Sequence, residues 1–233
     1  MSHIQQQLQQ VLEEIANTTQ ACHREAGSVQ LLAVSKTKPV EDIENAIKAG
    51  QLAFGENYVQ EGIEKVQYFQ DKYADTPLDW HFIGPIQSNK TRPVAEHFSW
   101  VHTIDRVKIA QRLNDQRPAS LGKLNVLIQV NTSGEQSKSG VSPEDVATLA
   151  KEIEQMPNLI LRGLMSIPES VTSYEEQLNA FMTLATIKET LVASHPQIDT
   201  LSMGMSGDLK AAIAAGSTIV RIGTAIFGQR NYN

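Results

Sequence analysis

Short apolar runs alternate with longer amphipathic segments along almost the whole chain. The apolar runs have the length of buried strands, and the segments between them repeat their apolar residues at helical spacing. Eight such runs occur, at residues 31–35, 52–56, 80–84, 100–104, 124–131, 159–166, 199–204 and 218–223. Regular alternation of strand and helix predicts parallel strands joined by right-handed crossovers.

Eight strand–helix units predict a closed α/β fold, a single (β/α)8 barrel of the TIM type. A doubly wound open sheet is the alternative, but no G-x-G-x-x-G motif follows the first strand. A helix over about residues 4–26 precedes that strand, and we expect it to close the bottom of the barrel or to pack outside it. Because no linker or repeat is evident, we interpret residues 1–233 as one domain.

Composition narrows the class of protein. The chain of 233 residues has a net charge of −6, which argues against a broad nucleic-acid surface. Its one cysteine, Cys22, cannot form an internal disulfide. The first residues lack the apolar stretch of a signal peptide, and no run approaches the roughly 20 apolar residues of a membrane span. We therefore expect a cytoplasmic monomer that binds neither nucleic acid nor membrane.

Lys36 is the first candidate for chemistry, because the active site of such a barrel lies where the strands end. It follows the first strand on the same face as Leu32 and Val34. Partial burial there would lower the pKa of the amine and favour its nucleophilic form. Lys38 has the same parity and is a secondary candidate, although Pro39 follows it. The alternative interpretation is a solvated lysine without a chemical role.

Gly223 and Thr224 follow the eighth strand, at a position where barrels often bind phosphate. Their backbone amides would open a short helix, and free amides at a helix start bind anions. The alternative is a plain glycine turn. Ser206 precedes a helix after the seventh strand and is either its N-cap or a phosphate ligand.

Other polar residues at strand ends have both structural and functional interpretations. Arg221 continues the face of Ile219, and a buried guanidinium needs an acceptor, either a strand carboxylate or a ring nitrogen. Asn57 follows the second strand and is a ligand contact or a helix cap. Met165 could pack on a ring or belong to the core. His81 is interpreted as a hydrogen-bonded core histidine.

Six motifs together resemble one known family over nearly the whole chain. They are LLAVSKTKP, FGENYVQE, WHFIGPIQSNK, GLMSIP, LSMGMSGD and VRIGTAIFG. The chain resembles the pyridoxal 5′-phosphate (PLP) homeostasis proteins, which are similar to the N-terminal barrel of alanine racemase. The resemblance implies that Lys36 forms a Schiff base (imine) with PLP and that Arg221 faces the pyridine nitrogen.

The same resemblance implies the remaining contacts to the cofactor. Ser206, Gly223 and Thr224 would hold the phosphate, and Asn57 would lie beside the cofactor. Met165 falls where the racemases place a side chain that packs on the ring.

The resemblance implies a cofactor carrier that buffers PLP or delivers it to apo-PLP enzymes, without strong catalytic activity. An arginine opposite the ring nitrogen disfavours its protonation. The chain ends about ten residues after the eighth strand, so we expect no second domain to supply an opposing base. The alternatives are a single-domain amino-acid racemase, with Lys36 as one base and Tyr58 or a loop residue as the other, and a cofactor-free barrel isomerase of a phosphorylated metabolite.

Overall fold

The computed structural model describes residues 1–229 and confirms the closed barrel. Its eight strands are parallel, pair in chain order, and close through pairing of the last with the first. The strands are β1 (Gln30–Val34), β2 (Ala53–Glu56), β3 (Asp79–Phe82), β4 (Trp100–Ile104), β5 (Leu124–Gln129), β6 (Leu159–Met165), β7 (Thr200–Ser202) and β8 (Ile219–Ile222). Each overlaps a predicted run, and closure excludes the open doubly wound sheet.

A helix follows every strand, as the amphipathic segments predict. The helices are α1 (His3–Ala21), α2 (Val40–Lys48), α3 (Val59–Lys72), α4 (Thr91–His97), α5 (Val107–Gln116), α6 (Val146–Glu154), α7 (Tyr174–Val192), α8 (Leu209–Ala215) and α9 (Thr224–Phe227). A large apolar core lies between the strands and the helices that surround them.

The N-terminal helix α1 packs outside the barrel, which is one of the two expected positions. It contacts α2, α8 and α9, and so fills the outer ring where α9 has only four residues. A capping box starts it: the Gln5 amide donates to Ser2 Oγ, and the Ser2 amide donates to Gln5 Oε1. The helix ends at Ala21, earlier than predicted, and His23 has a left-handed φ of 55°.

The interior of the barrel is partly polar. Two small apolar clusters lie apart from the main core, one around Leu32 and Ile219 and one formed by Trp100, Leu127 and Met165. His102 of β4 contacts Ser202 of β7 at 2.8 Å, although these strands are not neighbours. A contact between non-adjacent strands must cross the barrel interior, so buried polar groups lie inside it.

Membrane-spanning helices and metal-binding clusters are both absent from the part of the chain that the structure describes. None of the helices within residues 1–229 combines the length and the apolar character that a membrane span requires. Among the same residues, no group of three or more His, Cys, Asp or Glu side chains could hold a metal ion.

Candidate functional site

A cavity of about 350 Å³ opens at the carboxyl ends of the strands on the side where β8 meets β1. Its volume lies within the range of roughly 300–1,000 Å³ that is usual for small-molecule sites. The lining residues are Val34, Lys36, Asn57, Ile83, Ile167, Met205, Ser206, Gly207, Arg221, Gly223 and Thr224. Six of the seven predicted site residues are among them, namely Lys36, Asn57, Ser206, Arg221, Gly223 and Thr224.

Met165 is the predicted site residue that the structure does not bring to the cavity. It is the last residue of β6, it is fully buried, and it packs with Trp100 and Leu127. Ile167, two residues further on, lines the cavity instead. Side chains on one face of an extended segment recur every second residue, so Ile167 follows Met165 on the same face.

Lys36 and Lys38 both follow β1, but they lie in different surroundings. Lys36 is half-buried in the turn after the strand and lines the cavity. Lys38 Nζ donates to the backbone carbonyls of Phe227, Gly228 and Gln229 at 3.0–3.2 Å, and so holds the end of α9. The arrangement favours Lys36 over Lys38 as the lysine of the cavity.

Four side chains form a buried group beneath this turn, which we call the carboxylate cluster: Ser35, Glu56, Glu61 and Lys65. Lys65 Nζ lies 2.8 Å from Glu56 Oε1 and 2.7 Å from Glu61 Oε1, and it donates to the Ser35 carbonyl at 2.7 Å. Ser35 Oγ donates to Glu56 Oε1 at 2.6 Å, and the Thr37 amide donates to Glu61. The residues on both sides of the cavity lysine are therefore fixed by hydrogen bonds.

Lys65 is the one cation of the carboxylate cluster, and it pairs with both carboxylates. Burial raises the pKa of Glu56, while the charge and hydrogen bonds of Lys65 and the Ser35 hydroxyl lower it. Glu56 is fully buried and Lys65 almost so, and a buried carboxylate of this kind depends on its cation.

Arg221 is held from below by neutral acceptors. Its Nη1 donates to Ser202 Oγ at 2.7 Å and its Nη2 donates to the Ser166 carbonyl at 3.1 Å. No ion pair joins it to a carboxylate within residues 1–229, so the structural interpretation of a strand carboxylate partner is not supported. Burial lowers the pKa of Arg221 to about 10, partly offset by the charge of Asp208, and the guanidinium stays charged at neutral pH.

Asn57 lines the cavity without capping a helix. The N-cap of α3 is Tyr58, and it makes no side-chain cap bond. Within the described residues, Asn57 Oδ1 is buried and has no hydrogen-bond partner. Gly84 packs closely against the Asn57 backbone, since a Cβ at Gly84 would lie 2.0 Å from the Asn57 carbonyl oxygen. Thr103 Oγ1 donates to the Gly84 carbonyl at 2.7 Å, so the loop after β3 fixes the position of Asn57.

Ser206 lies exposed in the turn before α8. The N-cap of that helix is Asp208, whose Oδ1 accepts the Met205 amide at 2.6 Å. The prediction that Ser206 caps the helix is therefore wrong, while its position on the cavity wall stands.

Gly223 and Thr224 open the short helix α9, as predicted. Gly223 occupies the N-cap with a φ of −119°, which residues other than glycine also adopt. Steric contact explains the glycine better than backbone conformation does, since a Cβ there would lie 3.1 Å from the Val34 carbonyl oxygen. Thr224 is exposed at the rim, so its hydroxyl is accessible from the cavity.

Sequence reasoning missed the apolar walls and the loop contact. Ile83, Ile167 and Met205 line the cavity beside the polar groups. The alternation of side chains along an extended segment could have predicted Ile167. The Gly-Pro pair at Gly84 indicated a special turn. The close approach of Gly84 to Asn57 depends on the neighbouring strand and has no local signal.

Comparison with known proteins places the chain in one family. The family model of the alanine racemase N-terminal domain matches residues 10–231. A pyridoxal phosphate homeostasis protein of Vibrio alginolyticus is 66% identical over 233 residues, which cover all of both chains. The chain belongs to the family of pyridoxal phosphate homeostasis proteins.

Solved structures agree over most of the chain. A protein of Bifidobacterium adolescentis superposes with a TM-score of 0.90 at 35% identity, covering 96% of this chain and 94% of that one. PipY of Synechococcus elongatus, solved with PLP bound, superposes with a TM-score of 0.77 at 37% identity, covering 92% of this chain and 100% of that one.

Proposed function

We propose that this chain binds PLP in the cavity at the β8–β1 junction and serves PLP homeostasis, as a buffer or a carrier of the cofactor. The observation that carries the proposal is the convergence of Lys36, Arg221 and Thr224 on one cavity from opposite ends of the sequence. The family name and the PLP-bound relative PipY support the same conclusion.

The donor set of the cavity fits the chemistry of PLP. The cofactor carries an aldehyde that condenses with amines, an electron-withdrawing pyridine ring and a phosphate. The cavity offers the amine of Lys36, the guanidinium of Arg221 and the hydroxyls of Ser206 and Thr224. The buried, unpartnered Oδ1 of Asn57 gives a further polar contact to a bound molecule.

Each group then has a distinct role in our proposal. Lys36 holds the cofactor covalently through an imine to its Nζ. Ser206, Gly223 and Thr224 bind the phosphate at the rim, with Gly223 allowing the close approach. Ile167 takes the ring-packing position that the sequence assigned to Met165.

We further propose that the chain has no strong catalytic activity of its own. Arg221 stays cationic at neutral pH. A permanent cation facing the ring nitrogen opposes its protonation, so the ring would withdraw electrons weakly. Apo-PLP enzymes would be the recipients of the cofactor.

An absorbance titration with PLP tests the binding site. We expect wild type to take up one PLP per chain with an imine band, and Lys36→Ala to lose that band while it retains weaker binding through the phosphate contacts. Lys38→Ala is the matched control, because this lysine follows the same strand but bonds to backbone carbonyls. A normal imine band in Lys36→Ala would refute the assignment.

Deuterium exchange at the Cα of L-alanine, with free PLP as reference, tests for catalysis. Exchange at the rate of free PLP supports a carrier, whereas faster exchange that disappears in Lys36→Ala would establish the racemase alternative. Tyr58 is half-exposed beside Asn57 and would be the candidate second base. Restoration of activity to an apo-PLP enzyme mixed with the loaded protein would support delivery.

The cytoplasmic location, the monomeric state and the interpretation of residues 1–233 as a single PLP-binding domain stay predictions from the sequence. Sedimentation analysis of the purified chain with and without PLP would test the second of these directly.

A further inference from the structure

A continuous chain of polar side chains, buried except at one end, runs through the barrel behind Arg221. We call Asp79, His81, His102 and Ser202 the histidine chain. Ser202 Oγ accepts from Arg221 Nη1 at 2.7 Å and lies 2.8 Å from His102 Nδ1. His102 Nε2 lies 2.8 Å from His81 Nδ1, and His81 Nε2 lies 3.0 Å from Asp79 Oδ2. The contacts connect the cavity to the first residue of β3, at the opposite end of the barrel.

Burial and stacking fix the members of the histidine chain in place. His81, His102 and Ser202 are fully buried, whereas 37% of the Asp79 side chain is exposed. The Trp100 ring stacks on His81 with centroids 5.1 Å apart and planes 5° apart. The imidazole therefore has little freedom to turn away from its two partners.

The two ends of the histidine chain determine the positions of its hydrogens. Arg221 can only donate, so Ser202 Oγ accepts from it. Burial raises the pKa of Asp79, but the hydrogen bond from His81 and bonds from its neighbours hold it below its usual value. Asp79 is therefore a carboxylate at neutral pH and accepts from His81 Nε2.

His102, in the middle of the histidine chain, is neutral. Burial above all, together with the charge of Arg221, holds the pKa of His102 well below its usual value. A neutral imidazole has one donor and one acceptor nitrogen. If both histidines carry their hydrogen on Nε2, His81 accepts from His102, and His102 accepts from the Ser202 hydroxyl. Each of these hydrogens then has one acceptor. Each group donates to the next one in the series that runs from Arg221 to Asp79.

We propose that Asp79, His81, His102 and Ser202 are positioning residues that hold the Arg221 guanidinium in one orientation towards the cofactor ring. The inference about the cofactor rests on the proposed function, whereas the direction of the hydrogen bonds can be tested without PLP. Ser202 is the link that joins the guanidinium to the histidines. Loss of its hydroxyl leaves Arg221 Nη1 without this acceptor and His102 Nδ1 without this donor.

The first test is nitrogen-15 NMR of the histidine rings in the protein before PLP is added. We expect His81 and His102 to be neutral with the hydrogen on Nε2 in wild type, and His102 to show a changed tautomer in Ser202→Ala. A wild-type His102 with its hydrogen on Nδ1, or a doubly protonated His81, would overturn the proposed direction whether or not PLP binds.

The second test measures the loaded protein. Ser202→Ala is expected to shift the absorbance of bound PLP and to weaken its affinity about 2- to 10-fold, the range that one hydrogen bond commonly contributes. Ser217→Ala is the matched control, because it also removes a fully buried hydroxyl, one that bonds to backbone carbonyls outside the histidine chain. It should change neither the absorbance nor the histidine tautomers.

The outcomes separate the two proposals. Absence of any PLP binding by wild type would refute the proposed function, and the histidine tautomers alone would then decide whether the hydrogen bonds have the proposed direction. Normal PLP binding with the same absorbance and affinity in Ser202→Ala and wild type would refute the positioning role alone.

Discussion

Two largely buried polar networks support the cavity, and they differ in charge. The carboxylate cluster under Lys36 is ionic: Lys65 contacts the carboxylates of Glu56 and Glu61 within 2.8 Å. The histidine chain under Arg221 is neutral at His102 and Ser202, with a carboxylate only at its exposed end. The first fixes a backbone turn, and the second fixes a single cationic side chain.

This difference shows how a barrel can hold two basic groups near one ligand. In the carboxylate cluster, the carboxylates neutralise the charge of Lys65 directly beneath the turn that carries Lys36. A carboxylate bonded directly to Arg221 would compete with a ligand for the guanidinium, whereas a hydroxyl and a carbonyl do not neutralise it. The networks should therefore respond differently to the loss of one member.

Removal of the cation from the carboxylate cluster should have the largest effect on stability. Lys65→Met leaves Glu56 buried without its ion-pair partner, and breaking a buried pair in this way costs about 3–5 kcal/mol. Urea unfolding at pH 7 measures the free energy of unfolding. Lys72→Met is the control, because it removes an exposed ion pair to Glu44 and should change little.

The same variant should show a characteristic pH dependence. The pKa of Glu56 is already raised by burial, and loss of Lys65 removes the main influences that lower it. A carboxyl whose folded pKa is raised contributes stability below its unfolded pKa, near 4.5, and loses it as pH rises through the folded value. The free energy of unfolding that Lys65→Met loses relative to wild type should thus be smaller at pH 5 than at pH 8. An equal deficit at both values would contradict a charged Glu56.

Interruption of the histidine chain should lower the free energy of unfolding by less than the loss of Lys65 does. His102→Phe leaves the Ser202 hydroxyl and His81 Nδ1 without this partner, but it leaves no buried charge unpaired. We therefore expect a loss of about 1–3 kcal/mol in the free energy of unfolding. The same unfolding experiment gives the value. A cost that matches or exceeds that of Lys65→Met would show that the histidine chain is charged, and would remove the contrast between the networks.

The exposed end of the histidine chain should matter least for stability. Asp79→Asn keeps an oxygen acceptor for His81, and the carboxylate is partly solvated, so we expect at most about 1 kcal/mol at pH 7. The pKa of Asp79 is lowered in the fold, so its contribution is present above about 3.8 and lost as pH falls through the folded pKa. Unfolding of both proteins from pH 7 to pH 3 should show the difference shrink. A difference that grows towards pH 3 would contradict this.

The alternation of apolar runs was sufficient to predict all eight strands, because a barrel strand is a short buried segment with a helix after it. The alternation of side chains along a strand placed Lys36 and Arg221 on the cavity. Met165 was assigned from the family resemblance, and it packs in the barrel interior while Ile167 lines the cavity. The carboxylate cluster left one local trace, the spacing of Glu61 and Lys65 on one helix face. The histidine chain left a trace only at His81, which was interpreted as a hydrogen-bonded core histidine. Ser202 and His102 are 100 residues apart and meet only through barrel closure.

The central claim is that PLP binds in this cavity through Lys36, and borohydride reduction followed by peptide mapping tests it most directly. Reduction converts an imine into a stable pyridoxyl-lysine, so the modified residue can be read from the peptide masses. The account predicts one pyridoxyl group on Lys36 and none on Lys38. A group found mainly on Lys38, or scattered over several lysines, would contradict it.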